Sequence, residues 1–161
     1  FMIGAAQSLP LADAHFDVAL MLKSLHHVPM ASMAQALQEA ARVLRPNGHL
    51  YVSEPVYDGA FNEVMRLFND EGVVRKAAQA ALDAALGTGR WTQQAERRFD
   101  MPVSFKNFTD FEQRMMRPTF ADHRLDEAKL EQVRKAFEPH VGADGAHFLR
   151  PMHLRLLRRL A

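Results

Sequence analysis

The sequence is constrained most by a strand-sized apolar run, Phe16–Leu22, which is followed by an amphipathic stretch and then by a second apolar run. A short run that is apolar at nearly every position is typical of a strand covered by helices on both faces. Beyond it, apolar residues recur at helical spacing, which predicts a helix from near Ser32 to near Leu44. Residues 49–54 then predict a second strand.

The link between that helix and the second strand is short. Pro46, Asn47 and Gly48 end the helix and turn the chain, because proline disfavours helix at the preceding residue and asparagine also visits left-handed conformations. A strand, a helix and a strand with short connections form a βαβ unit, whose crossover is almost always right-handed. The fold class predicted is therefore α/β, with helices flanking a sheet.

After Pro55 the pattern is mostly helical. Apolar spacing predicts helices at 61–68, 73–86, 110–116 and 126–138, and strands at 119–125 and 147–157. Ser32 with Gln35, and Thr109 with Glu112, have the spacing of a capping box at a helix start. We expect a single domain over 1–161, in which 1–57 form the core βαβ unit, 58–90 a helical insertion or cap, and 91–161 further strands and helices.

Composition excludes several classes of protein. The 161 residues suffice for one sizeable core, and no apolar run approaches the roughly 20 residues of a membrane helix. With 20 basic and 19 acidic side chains the net charge is +1, which argues against nucleic acid or membrane as a partner. No cysteine is present, which excludes disulfides and thiolate metal sites and fits a cytoplasmic location. We find no metal-binding motif and expect no metal.

Four short motifs occur in the first third of the chain. They are G-A-A-Q-S-L-P at 4–10, F-D-V at 16–18, L-H-H-V at 25–28 and E-A-A-R-V-L-R-P-N-G at 39–48. Together they resemble the second half of a class I S-adenosylmethionine-dependent methyltransferase, of the Rossmann-like type that acts mostly on small molecules. The resemblance implies S-adenosyl-L-methionine as cofactor and methyl transfer to a small-molecule acceptor by direct displacement at the sulfonium methyl.

The resemblance also implies where the cofactor binds. The turn at Ala5, Ala6 and Gln7 matches the family's adenine-binding segment, although Ala5 stands where the family has an acidic residue and Gln7 is a candidate substitute. Leu22 and Lys23 match positions whose backbone lies beside the methionine portion of the cofactor.

Other residues of the motifs are candidates for the acceptor side. His26 is the candidate weak base, with His27 structural, and the alternative is that both only orient the loop. Glu54 and Tyr57 are expected to line the acceptor pocket, and for Glu54 a capping or salt-bridge role is the alternative. Glu39 and Arg42 are one helical turn apart, so the E-x-x-R motif is expected to be architectural and to form a surface pair.

Family members carry a glycine-rich loop after their first strand, and no such motif precedes Gly4. We therefore expect the C-terminal portion of a methyltransferase domain, which by itself binds the cofactor poorly or not at all. The alternative is a truncated or non-catalytic fragment that acts as an oligomerising or binding module, for example a homodimer that exchanges strands to cover a sheet edge.

Overall fold

The structure is a computed structural model that describes residues 2–117 and 125–160. The strand expected at 119–125 lies outside the described residues except for Leu125. The chain forms two compact units. The first unit contains Phe1–Pro55, Val73–Phe99 and Met152–Ala161, and the second contains Val56–Gly72 and Asp100–Pro151.

Ten helices and strands follow one another along the described chain. They are β1 (Phe16–Leu22), α1 (Met33–Val43), β2 (Leu44–Pro55), α2 (Ala60–Met65), α3 (Gly72–Gly87), β3 (Trp91–Phe105), α4 (Phe108–Phe111), α5 (Glu127–Phe137), β4 (Val141–Gly142) and β5 (Gly145–Arg159). Short 3-10 turns occur at Leu25–His27, Met30–Ser32 and Glu138–His140, and one π-helical turn at Glu112–Met116. The predicted α/β class is confirmed.

The sheet has the strand order β1-β2-β5-β3, and β4 pairs with β5. Strands β1 and β2 are parallel, with Val18 opposite His49 and Leu22 opposite Ser53. Strand β5 runs antiparallel to β2. Because β1 and β2 are parallel, their carboxyl ends lie at the same edge of the sheet, and the loops that follow them start side by side.

Helix α1 joins these two parallel strands, and its predicted extent is confirmed to within a residue at each end. Its apolar face includes Ala36, Leu37 and Ala40, which are nearly inaccessible and pack in one core with Leu50 of β2 and Leu82 of α3. The predicted turn after the helix is also present, since Asn47 has a φ of 67°. The core of the first unit is therefore built around α1.

The second unit has a core of its own, made largely of phenylalanine rings. Phe105 lies within 5.1 Å of Phe111 and 6.1 Å of Phe137, measured between ring centroids, in edge-to-face contacts. Phe61 and Phe148 pack in the same cluster. Aromatic side chains thus form much of the core of this unit.

Neither predicted capping box forms, although Ser32 does occupy the N-cap position of α1. Ser32 makes no side-chain cap and ends a 3-10 turn with a helical conformation, so its hydroxyl is not placed over the first turn of α1. At the later position the cap is Asn107, whose side chain accepts a hydrogen bond from the Asp110 N–H at 3.0 Å. At the second position the helix starts at Phe108, earlier than the motif spacing assumed.

The prediction that both faces of β1 are covered is also wrong for the described residues. Val18, Leu20 and Leu22 are 55%, 62% and 53% exposed, whereas the alternate residues Ala19 and Met21 are half-buried. The reason is that, among the described residues, only the face of β1 that carries Ala19 and Met21 packs against the core around α1. One apolar face of β1 is therefore open in the described part of the chain.

A buried polar layer lies between α3 and β5 in the first unit. His153 is 3% exposed, and its ring nitrogens pair with Gln79 Oε1 at 2.8 Å and Glu96 Oε1 at 2.6 Å. Arg155 Nη1 donates to Asp83 Oδ1 at 2.6 Å. Charged and polar side chains on β5 thus face α3, while Leu154 and Leu156 are only half-buried.

Strand β3 was not predicted. Its residues 93–100 are all exposed, so the segment lacks the alternation of apolar and polar residues by which a half-buried strand is recognised.

Candidate functional site

The candidate site lies where β1 and β2 end. The backbone leaves β1 at Lys23, which has a φ of 53° and whose N–H donates to Ser53 O at 2.7 Å. A left-handed lysine turns the chain sharply. The loop that carries the two predicted histidines is therefore folded back against the end of β2.

Glu54 holds that loop in place. Its carboxylate is 1% exposed, and Oε1 accepts hydrogen bonds from the Ser24 N–H at 3.0 Å and the Leu25 N–H at 2.8 Å. The other oxygen, Oε2, pairs with Nδ1 of His26. Because a buried carboxylate is costly unless it is hydrogen-bonded, Glu54 is satisfied by the loop itself. The structure thus brings Glu54 and His26 together, in the salt-bridging arrangement that was the alternative to a pocket wall.

The two histidines have different surroundings. His26 is 5% exposed, whereas His27 is exposed, and their ring centroids lie 4.1 Å apart. The hydrogen bond between Glu54 and Nδ1 thus fixes the orientation of the His26 ring.

The other predicted cofactor residues form a tight turn. The Ser8 N–H donates to Ala5 O at 2.9 Å, so residues 5–8 close on themselves. Gly4 packs directly against the ring of Pro10, where an added Cβ would lie 3.0 Å from Cδ. Ala5 is exposed and presents only a methyl group, while Ala6 and Gln7 are half-buried.

An apolar cavity of about 210 Å³ lies beneath this turn. Its lining includes Ala6 of the turn, Leu9 just after it, Met21 of β1, Ser24 of the loop that follows β1, and Ala40 of α1. The cavity joins the turn to the carboxyl end of β1 and offers mainly aliphatic surface, which suits a flat uncharged group.

Sequence reasoning missed one function of the Glu39 and Arg42 pair. The predicted pair exists, with Arg42 Nε donating to Glu39 Oε1 at 2.8 Å, but both side chains also bond the backbone of the segment that follows the turn. The hydrogen bonds from Arg42 and from the Leu9 N–H lower the pKa of Glu39 to about 2. The E-x-x-R spacing could indicate the pair but not its distant backbone partners.

Tyr57 belongs to the second unit. Its hydroxyl donates to Asp70 Oδ1 at 2.8 Å, and this hydrogen bond, with partial burial, raises the pKa of Tyr57. The ring also packs on Gly72, where an added Cβ would lie 2.9 Å from Cζ. Through its contacts with Asp70 and Gly72, Tyr57 therefore links the two ends of the segment 57–72.

No helix among residues 2–117 and 125–160 combines the length and the apolar character needed to cross a membrane.

Comparison with known proteins gives results for sequence and for fold. Residues 1–52 match the family model described as a methyltransferase domain. The 27-O-demethylrifamycin SV methyltransferase of Amycolatopsis mediterranei is 44% identical over 54 residues, which are 34% of this chain and 19% of that protein. For five curated relatives the matched segment spans 16–26% of the relative's own length.

Solved structures match nearly the whole chain. The YcgJ protein of Bacillus subtilis aligns with a TM-score of 0.64 at 19% identity, covering 98% of this chain and 70% of that one. A SAM-dependent methyltransferase of Methanosarcina mazei aligns with a TM-score of 0.56 at 15% identity, covering 99% and 66%. At such identities the likeness establishes fold. Residues 1–52 thus match the methyltransferase domain family in sequence, and the chain shares the α/β fold of these solved structures.

Proposed function

We propose that this protein is an S-adenosyl-L-methionine-dependent methyltransferase acting on a small-molecule acceptor. The observation that carries the proposal is the parallel register of β1 and β2, which sets the histidine loop beside Glu54 within a segment of methyltransferase sequence. A relative whose name specifies a rifamycin derivative as acceptor supports a small-molecule acceptor here. The absence of cysteine and the near-neutral charge support a cytoplasmic enzyme without a nucleic-acid partner.

The residues at the site fit the cofactor in part. The turn at 5–8 and the cavity beneath it suit an adenine ring, and the backbone of Leu22 and Lys23 suits the methionine portion. The Ala5 methyl cannot hold an amino group, which weakens binding by about 0.5–1.5 kcal/mol relative to an acidic residue. When bound, the sulfonium supplies an activated methyl group, so the protein's task is to align the acceptor and to exclude water.

Proton transfer is assigned to the histidine loop. Glu54 orients the ring of His26 through Nδ1, and the role of base is assigned to Nε2 of that ring. His27 is the exposed ring of the pair and the one that solvent reaches directly. Glu54 acts on acceptor chemistry through His26, as a positioning residue. Tyr57, with a raised pKa, stays a neutral hydrogen-bond donor and remains a candidate for the acceptor side.

The test is a titration of the isotope-labelled chain with S-adenosylhomocysteine, followed by backbone amide shifts. We expect perturbations at residues 5–8 and 22–27, and a two- to twelvefold gain in affinity, roughly, in Ala5→Asp. Ala84→Asp is the matched control, since it makes the same substitution at an exposed alanine of α3, outside the turn. Absence of perturbation in both the wild type and Ala5→Asp at millimolar ligand would overturn the proposal.

A second candidate function is self-association through β1. Its open apolar face and its position at the sheet edge favour pairing with a second copy of the chain. Sedimentation should then reveal a dimer that Leu20→Lys abolishes and Leu149→Lys, equally exposed in the second unit, leaves intact. A wild-type monomer at all concentrations would remove this candidate.

A further inference from the structure

Arg42 of α1 bonds a segment that lies about thirty residues earlier in the sequence. Nη1 donates to Leu11 O at 2.7 Å and to Asp13 Oδ1 at 2.6 Å. Nη2 donates to Leu9 O at 2.9 Å and to Glu39 Oε2 at 2.9 Å, and Nε donates to Glu39 Oε1 at 2.8 Å. One guanidinium therefore binds the Glu39 carboxylate on its own helix and, in the distant segment, two carbonyls and the Asp13 carboxylate.

Glu39 strengthens this attachment as a hydrogen-bond acceptor. Its Oε2 accepts a hydrogen bond from the Leu9 N–H at 2.8 Å, so both backbone polar groups of Leu9 are bound to the pair. The backbone at the end of α1 adds two further hydrogen bonds, from Ala14 N–H to Arg42 O and from His15 N–H to Val43 O, each at 2.8 Å. The segment 9–15 is thus attached to α1 along its length.

This arrangement requires arginine. A planar guanidinium presents donors in a fixed fork that matches a carboxylate with one edge and leaves other N–H groups for carbonyls. A lysine ammonium has three donors on one atom and cannot reach Glu39, Leu9 and Leu11 together. Arg42 is only 30% exposed and Glu39 19%, which limits competition by water. Charge on Glu39 persists to about pH 2, because the Arg42 and Leu9 N–H hydrogen bonds hold its pKa there.

Leu9 is also the residue that connects this attachment to the turn at 5–8. It follows Ser8 directly, and its side chain lines the apolar cavity together with Ala6. Pro10, on its other side, packs against Gly4 at the start of the turn. A fixed Leu9 therefore fixes the turn from both ends.

We propose that Glu39 and Arg42 are positioning residues for the cofactor, which hold Leu9 so that the turn at 5–8 is preformed for the adenine ring. This inference rests on the proposed function, because that function assigns the adenine to the turn. The pair itself does not touch the cofactor. It contributes by removing the need to order the turn upon binding.

The test compares Arg42→Lys with Arg45→Lys. Arg45 is a matched control: it lies three residues further on, in β2, and its Nη1 donates to both oxygens of Asp17 at 2.8 Å rather than to the 9–13 backbone. We expect Arg42→Lys to speed hydrogen exchange of the Leu9 amide and to weaken S-adenosylhomocysteine binding, each by roughly tenfold. Arg45→Lys should change neither, and circular dichroism should show both variants equally folded at the titration temperature.

The outcomes separate the two proposals. If the wild type binds S-adenosylhomocysteine and Arg42→Lys binds it equally well, the positioning role is overturned while the function stands. Unchanged exchange at Leu9 overturns the positioning role as well. If the wild type gives no amide perturbation at residues 5–8, the proposed function fails at this turn and the positioning role fails with it. A merely structural role would lower the melting temperature of Arg42→Lys and leave the binding constant of the folded protein unchanged.

Discussion

Glu54 and His26 are bonded to each other in the interior of the first unit although 28 residues separate them in the sequence. The same carboxylate also accepts the N–H groups of Ser24 and Leu25, so one side chain at the end of β2 organises the whole start of the loop after β1. The position of the histidines is thus set by β2 as much as by the strand that precedes them.

Replacement of Glu54 by alanine should be strongly destabilising. It would leave two backbone N–H groups and a buried imidazole without their acceptor, and each unsatisfied group costs about 1–3 kcal/mol. We expect Glu54→Ala to lower the free energy of unfolding in urea by about 3 kcal/mol or more. The control is Glu63→Ala, whose carboxylate is 60% exposed and pairs with Arg66 only at 3.3 Å. Equal stability of the two variants would contradict the anchoring role of Glu54.

The buried His153 should make stability depend on pH. Burial lowers its pKa in the folded protein, with Arg155 and Arg98 acting in the same direction and the Glu96 hydrogen bond opposing them. The unfolded histidine takes up a proton as pH falls below about 6.5, while the folded one stays neutral until its lower pKa is reached. We therefore expect the free energy of unfolding to be constant above that pH and to fall below it, until the folded pKa is passed.

Two variants test whether this slope, the change in the free energy of unfolding with pH, comes from His153. His153→Gln should remove it, whereas His147→Gln, at an exposed position of the same strand, should keep it. Urea titrations at half-unit intervals from pH 7 to pH 5 measure the slope directly. A slope that survives in His153→Gln would assign the dependence to another group.

Gly145 should not tolerate alanine. Its φ is 100°, and an added Cβ would lie 2.4 Å from Phe105 O and 3.2 Å from Lys106 O, which are backbone atoms that cannot move aside cheaply. We expect Gly145→Ala to reduce stability by about 2 kcal/mol or more. Gly87→Ala is the matched control, because nothing lies within 4 Å of its added Cβ and the glycine is helical, so a gain of up to about 1 kcal/mol is expected. Thermal unfolding of both variants measures the difference.

The sequence was most informative where spacing and local chemistry agree. The apolar run of β1, the amphipathic stretch of α1 and the left-handed Asn47 each depend on neighbours in the sequence, and each appears in the structure close to where it was predicted. Strand β3 could not be recognised, because an edge strand with eight consecutive exposed residues leaves no periodic pattern. The open face of β1 could not be predicted either, since an apolar run does not show which face of the strand packs against other elements.

Within the candidate site, residue types were easier to predict than their partners. Glu54, His26 and His27 were named from the sequence, but the hydrogen bond between buried His26 and the Glu54 carboxylate, 28 residues away, was not predicted as such. The Arg42 contacts with Leu9 and Leu11 are of the same kind, because they join parts of the chain that only the parallel crossover brings together. Long-range partners of this kind have no signature in the spacing of a single sequence.

The left-handed lysine after β1 allows charge and backbone shape to be varied independently at the mouth of this loop. Asparagine and glycine both accept a φ near 53° without the crowding that a longer side chain meets there. Lys23→Asn would delete the ammonium group while the bend survives, and Lys23→Val would strain the bend as well as delete the ammonium. The charge beside the histidine loop can thus be changed without altering the path of the chain.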